Sequence, residues 1–429
     1  MSKAVSRNKR KISRRGFGAT LLAGAVASSE AFAAPHVYIP KKRVLRILGT
    51  HVTLQEELRK RAEKDLGIEL VFQPGGSAAV LHQATSRPES FDLYEQWSNS
   101  IRVLWGAGSI QSIDVSRIRY WDEINQLTKH GKLSKDSKVG AGDAPNKILY
   151  VQPDGSLGTN SQEAVSFLPY VHNADSFGYN ASVVERGVPY ETESWGWLLD
   201  EKWSGQVAVV NAPTIGLFDL ALAAQAQDLL DFVDLGNLTR TELDQLFRIM
   251  IGFRKRGHFR GIWTDVPASV RLMKNQECCI ESMFSPATFD LKGEGVDCVY
   301  ASPKEGYRAW HGVMCLSAAT DGDAKDAAYE YMNWWLSGWP GAFIARQGYY
   351  ISTPKRAAEY LTPEEWDYWY DGKPARCDMR GTHGKIVAKA GEIRDGGSYA
   401  NRFDNIAVWN TVMNNYEYSL GLWNEFLSA

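Results

Sequence analysis

The stretch "VLRILGTHVTLQEELRKRAEKDLGIELVF" changes its hydrophobic period twice. Val44 to Leu48 is a short β-rich run closed by Gly49, after which Leu54, Leu58, Ala62 and Leu66 recur at helical spacing up to Gly67; "GIELVFQ" is extended again. This predicts a parallel strand–helix–strand unit. A second unit follows, with a helix through Ala78 to Thr85 and the strand "FDLYEQW". Further on, "AVSFLPYVHNADSFGYN" reads as a strand, "SWGWLLDEKWSGQVAVVN" as a short helix with a strand after Gly205, and Phe218 to Phe232 as an Ala/Leu-rich helix. "WTDVPASVRLMKNQECCIES" is a helix and strand, and "GVDCVYASPKEGYRAWHGVMCLSAA" two strands around a loop. "DGDAKDAAYEYMNWWLSG" is an amphipathic helix behind an Asp cap. The sum is an α/β chain of two lobes with a helical, Trp-rich C-terminal third.

The amino terminus stands apart. Arg14 and Arg15 end a basic segment, a weakly apolar run too short to span a bilayer follows, and Ala31-Phe32-Ala33 forms a small-x-small cleavage site. Residues 1–33 therefore read as a secretory signal, and the S-R-R-x-F form resembles a bacterial twin-arginine signal. The expected location is the periplasm.

Composition narrows the functional classes. A formal net charge of -2 points to no polyelectrolyte partner, so nucleic acid is not expected. Fifteen Trp and nineteen Tyr supply rings with polar edges, which suit a ligand cleft as well as a core. The five cysteines, Cys278, Cys279, Cys298, Cys315 and Cys377, show no metal or haem spacing, and their odd count leaves at least one unpaired within the chain. No cofactor or metal is expected.

The order of pieces resembles the periplasmic solute-binding proteins of ABC importers, closest to the spermidine/putrescine-binding group. The carriers are "LRILGTHVTLQEELRKRAEKDLGIEL", "SFDLYEQWS", "LPYVHNADSFGYN", "SWGWLLDEKWSGQVAVV", "SPKEGYRAWHGVMCLSAA" and "RQGYYISTP", with an expanded region around Thr362 to Gly397. The resemblance implies a type II periplasmic-binding-protein fold. One lobe would comprise 43–170 plus 312–352, the other 171–311 plus 353–429, with the C-terminal helices across or beside the second. It further implies a monomer that closes on a small solute and delivers it to an ABC permease in the inner membrane.

Carried over one at a time, the family's ligand positions fall on Thr50, His51 and Thr53 after the first strand, and on Trp97, Ser98 and Asn99 after "FDLYEQ". They continue on Asn211 to Gly216, including Thr214, on Phe284 and Trp310, on the hinge-adjacent Tyr349, and on Trp409 or Asn410. Polyamine binders place carboxylates in the cleft, yet the loop "VVNAPTIGLF" has no acid before Asp219, and the third acidic position is Gly312. The resemblance with its departures implies rings without their anionic partners, which suits a zwitterionic, quaternary ammonium or polyhydroxylated solute better than a diamine. Nearby Arg308, Arg102 and Arg402 leave room for a carboxylate or phosphate on that solute.

Two other classes stay open at the level of sequence. A sensor subunit would use the same two-lobed closure, and a twin-arginine passenger can be an enzyme. Against the latter, the chain has no G-x-S-x-G, H-E-x-x-H or strand-linked G-x-G-x-x-G pattern.

Overall fold

Leu45, Ile47 and Leu48 carry the first strand, Val44–Gly49, into a buried sheet, where it pairs in parallel with Glu69–Pro74 on one side and Leu93–Trp97 on the other. The helix between the first two, Glu56–Leu66, buries Leu58 and Ala62 and stops at Gly67, whose φ of 65° is the left-handed conformation glycine adopts without steric cost. The computed structural model describes residues 43–429 apart from 136 and 138. The signal expected at residues 1–33 lies outside the described residues.

A second parallel set repeats the arrangement: Val207–Val210 lies between Phe259–Trp263 and Ile280–Met283. Joining the two sets are long antiparallel strands, Leu168–Asn180 and Tyr307–Ser317, in which every residue is buried. Their apolar stretches, Leu168–Val171 and Val313–Leu316, suit a strand covered on both faces, while His172, Asn173, Asp175, Arg308 and His311 are polar groups buried with them. Leu168–Asn180 pairs with Ile280–Met283, and Tyr307–Ser317 pairs with Leu93–Trp97. The sheet thus runs from one parallel set, through the two long strands, into the other.

Separate cores form on either side. One gathers Leu45, Phe91, Val165 and Met332 with their neighbours; another gathers Phe177, Val209, Phe247 and Trp423. A third, built largely from residues beyond Leu361, packs Trp369, Phe403 and Trp409 against Leu127, Ala144 and Ala174. The C-terminal strand Ile406–Trp409 pairs with both Tyr307–Ser317 and Ala141–Gly142. This C-terminal strand therefore touches segments of both expected lobes, 141–142 and 307–309.

Local expectations are corrected at four places. "SWGWLLDEKW" forms two 3-10 turns, Trp195–Leu199 and Glu201–Trp203, in place of a helix. The Ala/Leu-rich helix is Pro213–Ala226, beginning at a helix-favouring N-terminal proline and ending before Asp228, whose φ is 54°. Asp321 precedes the helix Gly322–Trp335 without a side-chain capping bond. The segment "EEWDYWYDG", which from its sequence reads as an exposed aromatic-acidic helix end, buries Tyr368, Trp369 and Tyr370. None of the five cysteines is bridged, and Cys377 alone is exposed. Among the described residues, no helix is long and apolar enough to cross a membrane.

Glu95 lies wholly buried on the strand Leu93–Trp97; Tyr170 Oη donates to its Oε2 at 3.2 Å, and its Oε1 has no partner. Burial pushes its carboxyl from the ordinary 4.5 up to about 7. Between those values the unfolded chain has released a proton that the folded chain keeps. The stability from this group is therefore complete below pH 4.5 and is lost as pH rises to about 7. Glu95→Gln is expected to remove a decline of about 3 kcal/mol, seen by urea unfolding of both proteins across that range. Identical pH profiles would assign the decline elsewhere.

Candidate functional site

The carboxyl ends of both parallel sets open on one cavity of about 350 Å³. This is where an open α/β sheet presents ligand-facing groups, because its strands end there and its helices begin. From the first set come Thr50, His51 and Val52 after Val44–Gly49, Gly75 and Ser77 after Glu69–Pro74, and Trp97. From the second come Val210, Asn211 and Ala212, then Thr264, Asp265 and Val266, then Phe284, Ser285 and Pro286. The long strands contribute Asp175 and Trp310, and Tyr349 and Asn410 complete the wall.

Four helices of nine residues or more begin at this wall: Ser77–Ser86, Pro213–Ala226, Val266–Lys274 and Ser285–Gly293. Their first-turn N–H groups and aligned dipoles favour negative charge. Only Val266–Lys274 has its N-terminus closed by a capping side chain, where Asp265 Oδ1 accepts from Ala268 N at 2.8 Å.

The rings form a connected group. Trp97 and Trp310 meet edge to face at 4.7 Å between centroids, and Trp310 meets Tyr349 at 5.6 Å in the same manner. Phe284 stands against Trp263 at 5.1 Å. Edge-to-face contacts fix the rings in place and leave ring faces available to a cation. Asn211 Oδ1 accepts from Trp423 Nε1 at 3.1 Å, which orients the side chain from behind.

Of the residues inferred from the sequence, Thr50, His51, Trp97, Asn211, Phe284, Trp310 and Tyr349 are brought together here. Ser98, Asn99, Thr214 and Trp409 do not line the cavity. Ser98 and Asn99 are buried at the turn after Trp97. Thr214 lies on the first turn of its helix between lining residues Ala212 and Ile215. Trp409 is fully buried against His311, while Asn410, the next residue and so on the opposite side of an extended chain, reaches the wall.

The expectation of rings without carboxylates holds at the positions it named and fails for the cavity as a whole. Asp175 and Asp265 both line it. Asp265 is exposed, and its Oδ2 accepts from Thr264 Oγ1 at 3.4 Å. Its place was legible, since an Asp two residues before a proline at a strand end is a helix cap. Asp175 is buried, sits opposite Arg308 in the strand ladder, and accepts from Tyr300 Oη at 3.2 Å; burial raises its pKa above the ordinary value against the pull of Arg308. Nothing local marks it. At Gly312 a side chain has little room, because a Cβ would lie 3.1 Å from the Tyr170 ring and 3.2 Å from Val171 O.

Among the described residues, no lysine or arginine lines this cavity. Arg308 is fully buried and its Nε donates to Asp219 Oδ1 at 2.6 Å. Arg102 pairs with Asp143 at 2.9 Å, and Arg402 donates to backbone carbonyls. The arginine grip on a ligand anion, left open by the sequence, is absent from the described wall.

A family model for bacterial extracellular solute-binding proteins matches residues 59–369, well over half of the 429. The chain belongs to this family. No curated protein sequence matches this solute-binding protein. Among solved structures it is similar to a Listeria monocytogenes protein described as a spermidine/putrescine ABC transporter, with 14% identity over 90% of this chain and 99% of that one and a TM-score of 0.62. It is also similar to the spermidine/putrescine substrate-binding protein PotD of Streptococcus pneumoniae, with 14% identity, the same coverages and a TM-score of 0.60. A third is AgtB from Agrobacterium tumefaciens, solved with agropinic acid, with 13% identity over 90% and 99% and a TM-score of 0.56. At these identities the likeness establishes the fold, the two-lobed α/β fold of periplasmic binding proteins.

Proposed function

We propose that this protein is the periplasmic receptor of an ABC importer, exported by the twin-arginine route, and that it captures a zwitterionic or quaternary ammonium solute between two lobes. The observation that carries the ligand class is the cavity's lining: the connected rings Trp97, Trp310 and Tyr349, the carboxylate of Asp265, and among the described residues no lysine or arginine. Ring faces hold a diffuse cation without full desolvation of a carboxylate partner. The solute's own anionic end would meet uncapped helix starts at Ser77, Pro213 and Ser285. A diamine would need a second anionic partner, and Asp175 is already shared with Arg308 and Tyr300.

In this proposal 43–170 with 312–352 and 171–311 with 353–429 close by bending at the two long strands, and the ligand favours closure through contacts with both. No covalent step is assigned. That the same fold holds agropinic acid in AgtB supports ligands beyond polyamines.

The test is a tryptophan-fluorescence titration with glycine betaine, carnitine, putrescine and spermidine. Betaine or carnitine is expected to perturb Trp97 and Trp310 emission saturably, and Asp265→Asn to weaken that binding about tenfold, the scale of one charge-assisted contact. A response to the two polyamines alone would overturn the ligand class.

A further inference from the structure

Ser285 has the ligand cavity on one side and a second, much smaller cavity of about 20 Å³ on the other. Three cations line the small one: Lys292, Arg394 and Arg402, the guanidiniums being 5% and 1% exposed. Asp395 is the single carboxylate among its lining residues, and Lys292 Nζ takes it at 2.7 Å.

Neither guanidinium has a carboxylate in contact. Arg394 donates to Trp369 O at 3.0 Å, to Gly348 O at 2.7 Å and to Tyr350 Oη. Arg402 donates to the carbonyl oxygens of Asp395 and Ala174, each at 2.8 Å, and its Nε has no partner. Asp175 is reached only through Tyr300, and it shares Arg308 with Asp219. Among the residues that line the cavity three cations, Lys292, Arg394 and Arg402, face one carboxylate, Asp395, and it is paired with the half-buried Lys292. The two buried guanidiniums are left without an anion in contact, where burial makes an unpaired charge unfavourable.

We propose that the small cavity binds a monatomic anion, of which chloride is the abundant physiological representative. Its volume admits about one sphere of water size, which excludes phosphate, sulfate or a carboxylated solute. A water there would satisfy donors without supplying charge. The ion would tie the segment carrying Arg394 and Arg402 to the turn at Gly348, to Ala174 on a long strand, and to the helix Ser285–Gly293 that walls the ligand cavity.

The test compares melting temperatures of the exported protein as sodium gluconate is exchanged for sodium chloride or bromide at constant ionic strength. A saturable rise of about 2 °C is expected with either halide. Crystals grown in bromide should show an anomalous peak among Lys292, Arg394 and Arg402. Lys292→Met is expected to raise the chloride concentration for half the effect at least fivefold. Equal melting temperatures in gluconate and chloride, no bromide peak in the cavity, or a Lys292→Met protein with unchanged chloride dependence would each overturn the proposal. If that variant does not fold, the two wild-type measurements decide.

Discussion

Trp310→Ala is expected to weaken solute binding at least a hundredfold, while Trp310→Phe stays within about tenfold of wild type. Trp310 is 6% exposed and stands between Trp97 and Tyr349, so its removal takes one face of the site and the support of two others. It lies on the strand Tyr307–Ser317, opposite Asn173 on the other long strand. A ligand held there touches the segment that would bend on closure. Truncation also opens a cavity worth about 3–5 kcal/mol of stability, which is why the phenylalanine variant is the necessary companion. Calorimetric titration with the solute that stabilises the wild type most gives the affinities, and urea unfolding separates the stability loss. Wild-type affinity in a folded Trp310→Ala protein would remove this ring from the site.

The second large effect concerns Arg308. Its guanidinium is buried with Asp219 at 2.6 Å and Asp175 at 3.7 Å, and Nη1 donates to Asn410 Oδ1 at 3.2 Å. Arg308→Met leaves two carboxyls buried without their cation, expected to cost about 3–5 kcal/mol. Burial already pushes Asp219 up to about 6 against the ion pair. Without the arginine the folded protein binds protons more tightly still than the unfolded chain. The lost stability should therefore return as pH falls through 6 toward 4, and grow above neutrality. Arg308→Met combined with Asp219→Leu should recover part of the loss, since an apolar pair replaces one ion pair while Asp175 keeps only the Tyr300 hydroxyl. Thermal unfolding of the three proteins at pH 5 and pH 8 checks both expectations. An Arg308→Met protein as stable as wild type at pH 8 would show that the buried carboxyls do not depend on it.

The first βαβ unit was legible from helical spacing closed by Gly67, and the long strands from the apolar, β-prone stretches Leu168–Val171 and Val313–Leu316 within them. The helix Pro213–Ala226 was misplaced because Leu229, Leu230, Phe232 and Val233 extend its apolar pattern past the true end, although Leu229 and Val233 are exposed. Its beginning carried the better signal, the proline after Asn211-Ala212. In the site, residues at strand ends were found because strand ends are visible in sequence. Asp175 was missed because it lies mid-strand, where only the facing Arg308, 133 positions away in the chain, accounts for a buried charge. "EEWDYWYDG" misled because its acids suggested solvent, while Tyr368, Trp369 and Tyr370 are buried and Trp369 lies against Arg394.

The most direct measurement is a thermal-shift screen of the exported protein against betaines, carnitine-like compounds, amino sugars, opine conjugates, putrescine and spermidine. A ligand that binds only the folded form raises the melting temperature by mass action. The expected result is a concentration-dependent rise with a quaternary or zwitterionic compound and none with the two polyamines. A rise with putrescine or spermidine, or no rise with any compound, would contradict the ring-lined receptor described above.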